Sequence, residues 1–178
     1  MNQRSLQLDL KLQFPPGFRP AGVIKWARLS SEAPSFVSRP ARQGAKGRGV
    51  RYESRVNNML EAQYPQHYIQ SPWIQFQDSS SGPRWAQPDG FLIDVEAGRV
   101  IVIEVKYNHT ELAWFQLFML YLPLARFLFQ GRWTFSCLEI VNWYDPKVKC
   151  PTRAIMCKHI EHAFPEELNC HIWNPKNL

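Results

Sequence analysis

Val100-Ile101-Val102-Ile103 runs straight into Glu104-Val105-Lys106. Four consecutive β-branched residues favour an extended strand, and a strand apolar on both faces belongs in the middle of a sheet. Side chains alternate along a strand, so Glu104 and Lys106 share one face at its end. Upstream stands Gln87-Pro88-Asp89-Gly90, and between the two motifs Phe91–Val95 reads as a second strand, with Glu96-Ala97-Gly98-Arg99 as the turn. That hairpin returns Asp89 to the side of Glu104 and Lys106. Two carboxylates and an amine are therefore expected to converge at one sheet edge.

Around this hairpin the pattern predicts further elements. Leu6, Leu8, Leu10, Leu12 and Phe14 alternate with polar residues as in a half-buried strand, and Val23–Leu29 suggests a second short one. Ser30–Gly49 carries Pro34, Pro40, glycines and cations without apolar periodicity and reads as a mobile loop. Tyr52, Val56, Met59 and Leu60 recur at helical spacing up to about Tyr64, before Pro65. Glu53 precedes Val56 and Leu60 by helical steps, which puts its carboxylate on or beside the buried face, where a charge is costly without a partner. Trp73–Phe76 reads as a strand. Asn108 can cap a helix with Glu111 three residues on, Pro123 should kink or end that helix, and Trp133–Val141 restores a strand. From Val50 to Val141 the order is helix, three strands, helix, strand.

Carboxylate oxygens suit hard divalent cations, and Mg²⁺ is commonly held by one or two of them. Asp89 and Glu104 are the candidate ligands for Mg²⁺ or Mn²⁺, with Lys106 placed to position a nucleophile or to stabilise developing negative charge. The formal net charge of +6 and the pI of about 9.3 favour a polyanionic partner. Arg39, Arg42, Lys46, Arg48, Arg51 and Arg55 lead into Glu53 and suit a phosphate-gripping arm; the plainer reading is a solvated loop and helix start.

Pro88-Asp89 followed by Glu104-Val105-Lys106 resembles the signature of the PD-(D/E)xK nuclease superfamily, and the element order is similar to its core. The resemblance implies an α/β, restriction-endonuclease-like αβββαβ core with a mixed central sheet over residues 50–142, within a single nuclease domain. Residues 1–49 would be an N-terminal β extension with the basic loop, and residues 143–178 a C-terminal extension. It implies Asp89 and Glu104 as metal ligands, Lys106 as the catalytic lysine and Glu53, in Gly-Val-Arg-Tyr-Glu-Ser-Arg-Val, as an auxiliary ligand. Gln116 resembles the glutamine that the RecB-like exonuclease branch carries on its second core helix, where a tyrosine follows four residues later. Here Leu120 holds that place and Tyr121 comes one residue late.

The implied activity is hydrolysis of DNA phosphodiesters in recombination, repair, phage or mobile-element biology, or restriction. RNA cleavage and a non-catalytic nucleic-acid-binding module on the same fold are the alternatives, and the chemistry leaves endo- or exonuclease action and a homo-oligomer or partner protein open. Leu112–Phe129 is interrupted by Gln116, Pro123 and Arg126 and reads as a buried helix, its aromatics core or a subunit interface, instead of a membrane span. With no signal-peptide pattern and no CxxC pair among Cys137, Cys150, Cys157 and Cys170, a cytoplasmic protein with free thiols is expected. The spacing of Cys150, Cys157, His159, His162, Cys170 and His171 matches no common zinc site.

Overall fold

The computed structural model describes residues 14–37, 44–80, 82–142 and 168–172. Two sheets carry the architecture. The larger has five strands in the order β2-β5-β6-β7-β8: β2 (Tyr68–Gln70), β5 (Gly90–Asp94), β6 (Arg99–Lys106), β7 (Thr134–Val141) and β8 (Leu168–Ile172). Its first three strands are antiparallel and its last three parallel, so the sheet is mixed as expected, with β6 at the switch between the two modes. The smaller antiparallel sheet has the order β1-β3-β4: β1 (Trp26–Ser30), β3 (Trp73–Gln77) and β4 (Arg84–Ala86).

Strand β6 divides its side chains between two cores. Val100 and Val102 pack with the helices that follow, in a cluster containing Trp114, Leu117, Phe118, Leu122 and Leu124. Ile103 and Val105 face the other way, against Tyr52, Val56 and Leu60 of helix α1 (Gly44–Gln63). Burial on both faces is what the β-branched run requires.

Several expectations are corrected. Trp73–Phe76 was expected as the first core strand; that segment is β3 of the smaller sheet, and the strand beside β5 in the larger sheet is Tyr68–Gln70. Three residues are too few to show a period, which is why β2 escapes sequence reasoning. β4, also three residues, escapes it for the same reason. The loop expected through Gly49 ends earlier, because α1 begins at Gly44. Gly44, Gly47 and Gly49 each weaken a helix by about 1 kcal/mol relative to alanine, so local propensity argues against this first stretch and tertiary context overrides it. The turn after β5 is Val95–Gly98, with Gly98 at a φ of 59° that glycine adopts without strain.

The second helical region departs most. Thr110, not Asn108, is the N-cap of α2 (Glu111–Gln116), and its side chain makes no capping hydrogen bond. Pro123 does not end the helix. A π-helical turn over Leu117–Tyr121 joins α2 to α3 (Leu122–Leu128), with Leu122 N–H donating five residues back to Leu117 O. Proline has no N–H for the carbonyl of Met119, and that carbonyl instead accepts Ala21 N–H at 2.7 Å. A contact from outside the helix thus takes the acceptor that proline leaves free. Among the described residues, no helix is long and apolar enough to cross a membrane.

The β strand expected over Leu6–Phe14 lies outside the described residues except for Phe14, as do Arg39, Arg42, Cys150 and Cys157; Cys137 is buried. Within the C-terminal extension, β8 lengthens the sheet by pairing parallel to β7.

Candidate active site

Asp89 precedes β5 and is fixed mainly through its backbone. Its carbonyl accepts from Ser71 N at 2.9 Å, Tyr68 Oη at 3.2 Å and Ser71 Oγ at 3.3 Å. Tyr68 Oη also reaches Oδ1 of the buried Asn57 on α1, at 2.7 Å. Gly90 makes room for this: a Cβ there would stand 2.4 Å from the Tyr68 ring. Ser71 holds a φ of 43°, a left-handed conformation unusual for serine, and its amide and hydroxyl both face Asp89. The glycine of the Pro-Asp-Gly motif is thus explained by a tyrosine on the neighbouring strand. Gln87 Nε2 ties the same turn to Ser71 O at 3.0 Å.

The Asp89 carboxylate then turns to β6, where Oδ2 accepts Val105 N–H at 2.6 Å. Glu104 is 2% exposed; its Oε1 holds Lys106 Nζ, while Oε2 has no partner among the described residues. Glu53, half-buried on α1, feels both Asp89 and Lys106. Three carboxylates from three elements therefore face one ammonium group.

The imbalance appears in their protonation. Burial, then the Asp89 charge, pushes the Glu104 carboxyl up to about 8 against the pull of Lys106. Burial and Asp89 likewise raise Glu53 to about 7. Burial raises Asp89, although Lys106 and the Val105 amide oppose it. Burial lowers the Lys106 ammonium, but Glu104 and Asp89 more than reverse this and leave it raised, hence charged. Each acid resists ionisation here mainly because it is buried, and the one ammonium among three carboxylates does not offset that.

Gln116 Nε2 donates to Tyr121 Oη at 3.3 Å, while its buried Oε1 has no partner among the described residues. A π turn lies between them and accommodates an extra residue, so two side chains five positions apart meet. Burial, followed by the charges of Glu104 and Asp89, raises Tyr121 well above its ordinary value, so it belongs to the same electrostatic neighbourhood. Tyr68, Ser71, Asn57 and Tyr121 are site residues that sequence reasoning missed. Only the tyrosine one place beyond the expected position carried a signal.

Asp89, Glu104, Lys106 and Glu53 are thus brought together, and Gln116 is linked to them through Tyr121. Arg48, Arg51 and Arg55 are exposed on α1 at helical spacing, on the element that carries Glu53. Lys46 is in the same helix.

Among the described residues, no three His, Cys, Asp or Glu side chains form a ready-made metal cage. The donor set nevertheless fits a hard cation bound by few protein ligands: both orphaned buried atoms, Glu104 Oε2 and Gln116 Oε1, are oxygen acceptors, and the nearby acids are short of positive charge. The chain matches no family model, curated protein or solved structure.

Proposed function

We propose that this chain is a divalent-cation-dependent nuclease of the PD-(D/E)xK type that hydrolyses DNA phosphodiesters. The observation that carries the reading is Glu104: a buried carboxylate with one oxygen held by Lys106, the other unpartnered, and two further acids beside it. The element order α1, β2, β5, β6, α2–α3, β7 around the larger sheet supports the restriction-endonuclease-like core, with β3 and β4 inserted between its first two strands.

Asp89 and Glu104 would hold Mg²⁺ or Mn²⁺, with Glu53 as auxiliary ligand. Bound there, the cation supplies Lewis acidity toward water and phosphate. Lys106 Nζ, oriented by Glu104 Oε1, donates to the attacking water or to a phosphate oxygen and stabilises charge as it builds. The Asp89 backbone contacts to Tyr68 and Ser71 keep that carboxylate in place. Gln116, through its free carbonyl oxygen, orients water at the same end of the sheet. Arg48, Arg51 and Arg55 align phosphates beside Glu53 without reading sequence.

Incubating the full chain with labelled linear, circular and single-stranded DNA, and with RNA, tests this. Cleavage is expected with Mg²⁺ or Mn²⁺ and not in chelator, with Ca²⁺ supporting binding alone because its looser coordination suits phosphoryl transfer poorly. Cleavage by metal-stripped protein, or Lys106→Ala at the wild-type rate, overturns the reading. Exclusive cleavage of RNA would reassign the substrate.

A further inference from the structure

Among the described residues the fully or almost fully buried acids are Asp78, Glu104 and Glu139. Arg84 answers the first and Lys106 the second. Glu139 is answered by a histidine, His109, and the nuclease reading so far gives neither residue a part.

Their position is informative. β6 and β7 run parallel with Glu104 in register with Glu139, so the two acids stand on neighbouring strands and face the same side of the sheet. Adjacent strands are about 4.8 Å apart. Glu139 Oε1 lies 3.0 Å and Oε2 2.7 Å from His109 Nδ1, and Trp114 Nε1 donates to Oε2 at 2.5 Å. The His109 and Trp114 ring centroids are 4.7 Å apart. One carboxylate and one indole therefore hold the imidazole in a single orientation.

A carboxylate facing Nδ1 makes that nitrogen the proton-bearing one and leaves Nε2 as the nitrogen available to another partner. Nε2 has no hydrogen-bond partner among the described residues, and the His109 side chain is 22% exposed. His109 lies in the loop leaving β6, three residues past Lys106, at the sheet end where the charged cluster gathers. Both Glu139 oxygens are partnered, so what this group leaves over is the imidazole's Nε2 and not a carboxylate oxygen. The cost of burying that charge is offset by the His109 and Trp114 donors, which fix the ring through Nδ1.

We infer that His109 Nε2 contacts the substrate phosphate, with Glu139 and Trp114 as the residues that position it. This rests on the nuclease reading and extends it by one substrate-binding group. With Nδ1 engaged by the carboxylate, Nε2 is the ring nitrogen left to donate to a phosphate oxygen.

His109→Asn separates this role from a structural one, because the Asn amide nitrogen can replace Nδ1 toward Glu139 while nothing replaces Nε2. In single-turnover cleavage with Mg²⁺, His109→Asn is expected to lose roughly 10²-fold, a size typical of a lost positioning contact. Added imidazole should restore part of the rate, and thermal unfolding should stay near wild type. Glu139→Gln should lower the rate less and be insensitive to imidazole. Independently of cleavage, the His109 ring resonances of ¹⁵N-labelled wild-type protein should move when a DNA oligonucleotide is added with Ca²⁺. Wild-type turnover in His109→Asn, or ring resonances unmoved by bound DNA, overturns the inference. A wild-type protein that binds the oligonucleotide and moves those resonances without ever cleaving would remove the nuclease reading and leave the phosphate contact standing.

Discussion

Asp78 in the smaller sheet's neighbourhood and Glu104 in the larger sheet are both buried acids, 0% and 2% exposed, yet their surroundings are opposite. Asp78 is saturated: its Oδ2 accepts from Arg84 Nη1 at 2.5 Å and Gly22 N at 2.9 Å, and its Oδ1 from Ser80 N at 2.9 Å and from the Ser80 hydroxyl. Burial would raise it, but the Ser80 and Gly22 donors and the Arg84 charge prevail and hold the carboxyl well below the usual range. Arg84 also donates to Pro20 O at 2.9 Å and Arg19 O at 2.7 Å, so the pair fastens the N-terminal approach to the smaller sheet. Glu104 keeps an oxygen unpartnered among other acids, and its carboxyl rises. A chain can bury a carboxylate to hold itself together or to hold something else, and the completeness of the donor shell separates the two.

The sharpest way to break this contrast is to remove each acid. Asp78→Ala should destabilise the fold by about 3–5 kcal/mol, because Arg84 is left without its buried partner. Denaturant unfolding measures the loss, and activity per folded molecule should persist. Glu104→Gln should do the reverse, lowering metal-dependent turnover about 10²–10³-fold with stability equal to or above wild type. Equal stability losses in both variants would dissolve the distinction.

Gln116→Leu tests how far the functional region extends. Leucine removes an amide whose buried oxygen is unsatisfied, at a cost to the wild type of about 1–3 kcal/mol. Turnover is expected to fall roughly 10²-fold while thermal stability holds or rises. Lower stability with full single-turnover rate would place Gln116 in the core and outside the site.

Acid and base should also act on the two regions in opposite directions. Glu104 and Glu53 have folded values raised to about 8 and 7 from 4.5, so the folded protein binds the extra protons. Their contribution to stability is fully present below about 4.5 and is lost as the pH rises through 7 to 8 in the absence of divalent cation. The Asp78 contribution is present above its ordinary value of 3.8 and is lost as the pH falls toward its lowered one. Melting temperature against pH in chelator should therefore decline from pH 5 to 8, a decline that Glu104→Gln flattens and Asp78→Ala leaves in place. Saturating Mg²⁺ should flatten it too, since a cation can take the place of the proton. An identical slope in Glu104→Gln would show that the charged cluster does not control this range.

The sequence by itself determined the hairpin and its charges. An uninterrupted β-branched run can only be satisfied by burial on both faces, and the alternation of a strand then fixes Glu104 and Lys106 on one side, with Asp89 returned beside them. It also placed Glu53 by its helical phase to Val56. Only the tertiary structure decided which strand flanks β5, because Tyr68–Gln70 is too short to carry a period and Trp73–Phe76 reads equally well in either sheet. The same holds for the π turn, for the Ala21 N–H that reaches the Met119 carbonyl across the fold, and for the contacts of Tyr68, Ser71 and Asn57 to the Asp89 turn. His109 and Glu139 belong to no motif in the sequence, and only parallel pairing sets Glu139 level with Glu104. Periodicity records which face of an element is buried; it carries no information about what lies across from that face, and the chemistry of this site is decided there.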